Sequence, residues 1–380
     1  MEKIRVVFVV HHLVCGGVDQ ALFDLICLLD KDCFAPCVFV QNPGGTWEGK
    51  FREAGIELLY DYSCRKPTRN PVVKVQNLAN RLKVSKAYRQ GGEGLLDICC
   101  PDADIVVAYD VWENEPLVFK KGARTVRYVH GDIGTFESYR EDILKTRDSL
   151  VRYDRIVCVS DAAWHSFCSL SGLNQGVVML HNPINSDHVR KLAEKPTDLP
   201  DDLPMICSVG RLAPEKGLER LLLVQKKILD QGVDHRLVIV GDGPDRSFLE
   251  RLAWALGTED RVIFAGYQEN PYPYMKKSRF LVNSSFTEGL PVIAMEAISL
   301  GVPIVATIPS VREAFGEENC GLITENDQQS LMEGICRMLT DEDYYETMKS
   351  GAKKQSKVLD GRAMARKVEQ MFFQLVPEKG

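Results

Sequence analysis

Residues 280–301 read FLVNSSFTEGLPVIAMEAISLG. The opening FLVN is a short apolar run of the kind that forms a strand buried on both faces, and the next residues, Ser284 to Gly289, have turn composition. Pro291 then stands where a helix accepts proline, in its first turn, and VIAMEAISL follows as an almost wholly apolar helix. A strand, a loop at its C-terminal end and a helix make half of a βαβ unit. The helix's one charged residue, Glu296, sits among Val292, Ile293, Ala297 and Leu300. Burying a carboxylate alone is costly, so Glu296 must either meet an Arg or Lys in a structural ion pair or bind something polar; a ligand role is the expectation. The amides of the first turn point out of the loop and suit an anion or a hydroxyl.

Outward from that segment the same alternation recurs. Strands are expected at Ile4–Val10, Pro36–Val40, Ile105–Ala108, Thr125–Val129, Arg155–Val159 and Val177–Leu180, with helices at Gly17–Leu29, Val72–Arg89 and Asp161–Leu170, the last capped by Ser160. Residues 182–204 hold four prolines and no periodicity, and read as a linker. The pattern restarts with Met205–Val209, Leu237–Val240, Val262–Phe264, Phe280–Val282 and Pro303–Ala306. This predicts an α/β protein of two doubly wound, Rossmann-like domains facing across a cleft: residues 1–181, a linker 182–204, residues 205–357, and a C-terminal helix in 358–380 that packs back toward the first domain.

Composition narrows the function. The 380 residues carry 47 Lys and Arg against 53 Asp and Glu, a net charge of -6, so the molecule as a whole is no polycation and no nucleic-acid partner is expected. The 12 cysteines mostly fall inside apolar patterns and none has CxxC spacing, which favours free thiols in a reducing cytoplasm over disulfides or zinc. The N-terminal MEKIRVVFVVHHL reads as a first strand rather than a signal peptide, and no run reaches the roughly 18 apolar residues of a membrane span.

Other segments offer chemistry. In ICSVGRLAPEKGLERLL, residues 206–222, Arg211 and Lys216 fall at the C-terminal edge of a strand beside a helix start; two cations and a helix dipole in one place describe a phosphate or diphosphate clamp. In LVIVGDGPDRSFL, residues 237–249, Gly241 and Gly243 begin a GxGxxG pattern whose third glycine is replaced by Arg246, so tight turning suffices to explain them. Gly16 and Gly17 follow the first strand and permit close backbone approach. His130 ends the strand Thr125–Val129 at the same sheet edge. The remaining histidines show no metal-ligand spacing, and the pairs Asp102/Asp104 and Asp341/Asp343, although DxD in pattern, precede a strand and open a helix; no metal is expected.

Residues 63–92 contain Arg65, Lys66, Arg69, Lys74, Arg81, Lys83, Lys86 and Arg89 and no acidic residue. With Val72, Val75, Ala79 and Leu82 as a helical stripe, this is a basic amphipathic helix suited to an anionic membrane surface, Lys74, Arg81, Lys83 and Lys86 being its basic patch. A solvated helix face is the alternative.

Taken together, Gly210-Arg211 with Glu215-Lys216-Gly217, Gly241-Asp242-Gly243-Pro244, Phe264-Ala265-Gly266, and Glu288-Gly289-Leu290-Pro291 through Glu296 resemble the family-4 retaining glycosyltransferases of GT-B fold. Glu288 and Glu296 match that family's Glu-x7-Glu motif, and Gly301 to Ala306 its sequel. The first half is similar through Gly16-Gly17 and His130. The resemblance implies a transferase that moves a sugar from a nucleotide sugar, a UDP-sugar, to a saccharide or lipid-linked acceptor without a cofactor or metal. It implies that Arg211 and Lys216 hold the diphosphate, that Glu296 takes the ribose hydroxyls, that Glu288 lies near the transferred sugar with the amides of Gly289 and Leu290, and that His130 reaches the sugar from the opposite domain. Asp19 stands where many relatives have Glu, and Pro309-Ser310-Val311-Arg312-Glu313 replaces a commoner glycine pair, which resembles the subgroup that builds surface polysaccharides. The thiols and the basic segment 63–92 lead us to expect a cytoplasmic protein, peripheral on the inner face of the membrane. A nucleotide-sugar epimerase of the same fold and a non-catalytic nucleotide-sugar-binding subunit are the alternatives.

Overall fold

The structure is a computed structural model that describes residues 2–14, 16–64, 68, 70–111, 115–133 and 137–377. Arg65, Lys66 and Arg69 of the basic segment lie outside the described residues. The chain forms two compact units, residues 1–183 with 362–380, and residues 184–361.

The first unit is built on seven parallel strands: β1 (Ile4–Val10), β2 (Phe34–Val40), β3 (Glu57–Leu59), β4 (Ile105–Asp110), β5 (Arg124–Val129), β6 (Arg155–Cys158) and β7 (Val177–Met179), in the order β3-β2-β1-β4-β5-β6-β7. β1 shows why these runs read as unbroken apolar stretches. Val6, Phe8 and Val10 enter one core, Val7 and Val9 the other, because helices cover both faces of the sheet. The last helix, Gly361–Leu375, supplies Val368, Met371, Phe372 and Leu375 to the first of these cores, at the 3–4 residue spacing of a one-sided helix. Glu369 of that helix accepts a hydrogen bond from the Asp30 amide at 2.7 Å. The helix Asp161–Ser171 is capped by the Ser160 side chain, which accepts from Ala163 N.

The second unit has six parallel strands: β8 (Met205–Val209), β9 (Arg236–Val240), β10 (Val262–Gly266), β11 (Phe280–Asn283), β12 (Ile304–Ala306) and β13 (Gly321–Ile323), in the order β10-β9-β8-β11-β12-β13. In each sheet the order reverses beside the first strand, the switch point at which ligands of such sheets bind.

Two expectations need correction. The stretch 182–204 is not a free linker: from Ile184 onward it belongs to the second unit. It carries a helix, Ser186–Leu192, started by the Asn185 side chain accepting from His188 N, and Asn270 donates to Leu192 O at 2.9 Å. Its prolines flank a helix too short to give a visible period. The chain accordingly changes units at 183/184 and at 361/362, not at 181 and 357. The short edge strands β3 and β13, three residues each, have no alternation to read and were not expected. The stripe Val72, Val75, Ala79 and Leu82 on the helix Pro71–Arg89 is solvent-exposed, and Val84 and Ala87 are the buried side chains.

Candidate active site

At the C-terminal edge of the second sheet, three loops meet: Gly210–Gly217 after β8, Ser284–Pro291 after β11, and Thr307–Val311 after β12. A single 3-10 turn, Pro214–Lys216, precedes the helix Leu218–Asp230. Gly217 joins them at φ +61°, where a Cβ would stand 2.2 Å from Ser284 O, so only glycine lets the first two loops touch. Ser284 Oγ donates to Lys216 O at 2.9 Å, and Phe286 N donates to Glu215 O at 2.8 Å.

Those contacts bring the basic and acidic candidates together. Lys216 Nζ lies 3.0 Å from Glu288 Oε1. The same carboxylate accepts from Asn283 Nδ2 at 3.1 Å and from Ser285 Oγ. Glu288 is thus oriented by a cation, an amide and a hydroxyl at the mouth of a narrow cleft of about 10 Å³, lined among others by Gly210, Arg211, Lys216 and Ser284. Arg211 is more open, with a side chain 66% exposed, and pairs with Glu215 at 2.9 Å. Of the two cations, Lys216 is therefore held among the loops and Arg211 lies at their rim.

The helix after the loop spans Val292–Ser299, with Pro291 at the N-cap, one position earlier than the first-turn placement expected. The backbone geometry of a helix start leaves the first-turn amides without intrahelical partners. Gly289 O accepts from Ser310 Oγ, so the segment Pro309–Val311 braces this loop. Glu296 is buried, 5% exposed, and Tyr272 donates its hydroxyl to Oε1 at 2.8 Å.

Sequence reasoning missed the residue that braces the site. Arg220 is buried in the helix Leu218–Asp230. It donates to Ser284 O and to Ser285 O and Thr307 Oγ1 at 3.0 and 2.9 Å, and its guanidinium covers the Phe286 ring at 4.2 Å. One cation thus ties the loop after β11 to the end of β12. Beside Glu219 it looks like a surface residue; the only hint is the apolar Leu218, Leu221 and Leu222 around it. Asn283, Ser285 and Tyr272 were likewise missed, since Asn and Ser are ordinary loop residues and the Tyr272 hydroxyl gains meaning only beside Glu296. Gly241, at φ +139°, packs so closely that a Cβ would stand 1.9 Å from Gly210 O, so close packing of loops accounts for this glycine.

In the first unit, His130 lies at the edge of β5 and lines a cavity of about 80 Å³ with Val18, Asp110, Arg127, Tyr128 and Ile133. Its Nε2 is 2.8 Å from Tyr109 O. A carbonyl can only accept, so Nε2 carries the proton and Nδ1 presents a lone pair. Burial drives the ring's pKa down to about 4, against the opposing effect of the Tyr109 bond, and the ring is neutral at ordinary pH. Among the described residues, His130 Nδ1 and Tyr128 Oη are buried polar atoms with no hydrogen-bond partner. Nearby, burial and then Asp110 raise Asp19 to about 7, opposed by the Val14 amide and Lys50. Gly16 is extended, and a Cβ there would meet only Asp19 Oδ2 at 3.8 Å, so the protein's own packing does not demand glycine. Of the DxD pairs, Asp104 accepts from Arg5 N at 2.8 Å and Asp341 caps the helix Glu342–Val358.

Comparison with known proteins bears on the second unit directly: residues 189–355 match the family described as glycosyl transferases group 1. The matched stretch is a little under half of the chain. The loops bearing Arg211, Lys216, Glu288 and Glu296 all fall within the matched residues. A Campylobacter jejuni relative, N-acetylgalactosamine-N,N'-diacetylbacillosaminyl-diphospho-undecaprenol 4-alpha-N-acetylgalactosaminyltransferase, is 32% identical over 191 residues, 50% of this chain. The match spans about half, 51%, of that relative's own length. An uncharacterized glycosyltransferase of Haemophilus influenzae is 26% identical over 75% of each chain. Among solved structures, Anabaena HepE in complex with UDP is similar with a TM-score of 0.73, at 17% identity, over 98% of this chain and 100% of that one. At that identity the likeness speaks for the fold alone. The fold is GT-B, two Rossmann-like units following one another in sequence.

Proposed function

We propose that the chain is a retaining glycosyltransferase that moves a sugar from a UDP-sugar to a saccharide or lipid-linked oligosaccharide in polysaccharide or glycoconjugate biosynthesis. The observation that carries the reading is the contact of Lys216 with Glu288 in a loop that leads directly into the helix bearing buried Glu296. One short segment then offers a cation for a diphosphate, a carboxylate beside it for a sugar, and a second carboxylate for ribose. The UDP in complex with HepE supports a uridine donor, and the diphospho-undecaprenol in the C. jejuni relative's name supports a lipid-linked acceptor.

In this reading Lys216 and Arg211 bind the diphosphate, and Glu296, steadied by Tyr272, accepts the ribose hydroxyls. Glu288 orients the transferred sugar with the Gly289 and Leu290 backbone and the first amide of the following helix. The bond from the anomeric carbon to the phosphate oxygen breaks, leaving its electron pair on the diphosphate. The acceptor oxygen bonds to that carbon on the same face and passes its proton to the departing phosphate. Charge grows on the phosphate in the transition state, where preorganised cations act most strongly. With cations in that role, we propose that turnover needs no added metal. In the first unit, His130 Nδ1 and Tyr128 Oη, which have no hydrogen-bond partner among the described residues, offer positions for a ligand's hydroxyls, and Gly16-Gly17 leave room for its close approach. A lipid-linked acceptor puts the work at the cytoplasmic face of a membrane.

Incubation with a panel of nucleotide sugars in EDTA, scoring nucleotide release with and without undecaprenyl-diphosphate saccharides, tests the reading. Acceptor-stimulated UDP release with α-configured product from an α-linked donor is expected. Interconversion of the sugar without release identifies an epimerase, binding without either identifies a non-catalytic subunit, and dependence on Mn²⁺ overturns metal independence.

A further inference from the structure

The helix Pro71–Arg89 presents its apolar side chains to solvent. Val72, Val75, Leu78 and Leu82 are 63%, 68%, 57% and 64% exposed, while the helix's buried side chains are Val84 and Ala87. At about 100° per residue these four fall on one face roughly 120° wide, a continuous ridge along three turns. The basic residues border it. Lys74 and Arg81 fall along one flank and Lys83 along the other, Lys86 and Arg89 continue the ridge at its C-terminal end, and all five are exposed. The inner side is fixed by other means: Asn70 caps the helix at Val72 N, and Asn80 donates to Cys64 O at 2.9 Å. The ridge is therefore not a core face left open by a misplaced helix.

Charge decides what covers it. The 63–92 segment has eight basic and no acidic residues in a protein of net charge -6. A second copy of the chain would bring two basic ridges together, and like charges at close range oppose that contact. A merely solvated face does not need four large aliphatic residues in line. A surface that is anionic outside and apolar just beneath matches both features at once.

We propose that this helix lies in the plane of an anionic lipid bilayer, with Val75, Leu78 and Leu82 at the boundary of headgroups and acyl chains and Lys74, Arg81, Lys83 and Lys86 against the lipid phosphates. Its purpose rests on the reading of a lipid-linked acceptor; the docking stands on the helix alone. The charges draw the protein to the surface and set its orientation, and the ridge holds it there. Binding is therefore only partly removed by salt, because apolar insertion is not screened.

Co-sedimentation of the full chain tests this, with vesicles of phosphatidylcholine alone or with about 30% phosphatidylglycerol, in salt from about 50 to about 500 mM. The wild type is expected on the anionic vesicles, with a residue of binding at high salt. The pair Leu78→Gln and Leu82→Gln should weaken binding at least about tenfold at every salt concentration. Lys74→Gln, Arg81→Gln, Lys83→Gln and Lys86→Gln should each cost about fivefold at low salt and little at high salt. The proposal fails if the wild type ignores anionic vesicles, if the leucine variants bind as the wild type does, or if sedimentation velocity shows a dimer that Leu82→Gln dissociates. UDP release from a UDP-sugar, measured on the same samples without vesicles, separates the two readings: lost docking with intact release sinks only the membrane helix, and intact docking without release sinks only the transferase.

Discussion

Lys216 Nζ and Glu288 Oε1, 72 positions apart in sequence, stand 3.0 Å from one another. In the proposed reading, the cation for a phosphate is already held by the carboxylate for a sugar. A diphosphate arriving there adds negative charge beside Glu288 while competing for the same ammonium. The pair thus keeps Lys216 in place before the donor binds, and it makes the two residues act on affinity in opposite directions.

Lys216→Ala should weaken UDP binding by about ten- to a hundredfold, the loss of one charge-assisted contact. Glu288→Gln should tighten UDP binding severalfold, because it removes a charge that repels phosphate, and should lower turnover. Arg211→Ala should cost less than Lys216→Ala, since its side chain is 66% exposed and already paired with Glu215. Titration calorimetry in EDTA reads all three, and loss of affinity in Glu288→Gln would contradict the shared-cation account.

Glu296 and Tyr272 should govern the nucleoside end only. Glu296→Gln is expected to weaken uridine binding about tenfold, and Tyr272→Phe a few fold, the worth of one neutral hydrogen bond of about 1 kcal/mol. Competition by pyrophosphate should be unchanged in both. Equal losses toward uridine and pyrophosphate would mean that the variants disturb the whole loop.

Arg220 should matter to stability first. Arg220→Met strips Ser284 O of its buried donor, at a cost of about 1–3 kcal/mol, leaves Ser285 O and Thr307 Oγ1 the bond between them, and removes the cation over the Phe286 ring. Urea unfolding should show a loss of a few kcal/mol, with Arg220→Lys intermediate because an ammonium cannot reach all three acceptors at once. A neutral Arg220→Met variant would mean that the loops hold their shape unaided.

Asp19 gives a pH signature. The fold raises its carboxyl from 3.8 to about 7, so the native state binds more protons than the unfolded chain between those values, and stability falls as pH rises across that window. Asp19→Asn cannot titrate. The wild type should therefore lose stability relative to Asp19→Asn, on the order of a few kcal/mol, between about pH 4 and about pH 8. His130, lowered to about 4, works in the opposite sense between about 4 and 6.5, but it is present in both proteins and cancels in the difference. Denaturation curves for the two proteins that stay parallel over this range would remove Asp19 as a buried acid.

What the sequence determined by itself is local. β1 came out at Ile4–Val10 as read, and the helix capped by Ser160 starts where expected, because a strand covered on both faces must be apolar at every position and a helix start needs an acceptor for its bare amides. The Glu288 to Glu296 spacing with Pro291 between them is equally local, a loop leading into a helix, and it marked the site. What only the tertiary structure decided is which way each side chain faces once distant segments meet. Lys216 found Glu288 because Gly217 lets two loops approach within van der Waals contact. Arg220 turned inward because three oxygens from two other loops surround it, and burial of a cation depends on partners far away in sequence. The ridge of the helix Pro71–Arg89 has the period of a core face, yet it points outward: periodicity fixes that a face is apolar, and only packing fixes what that face meets.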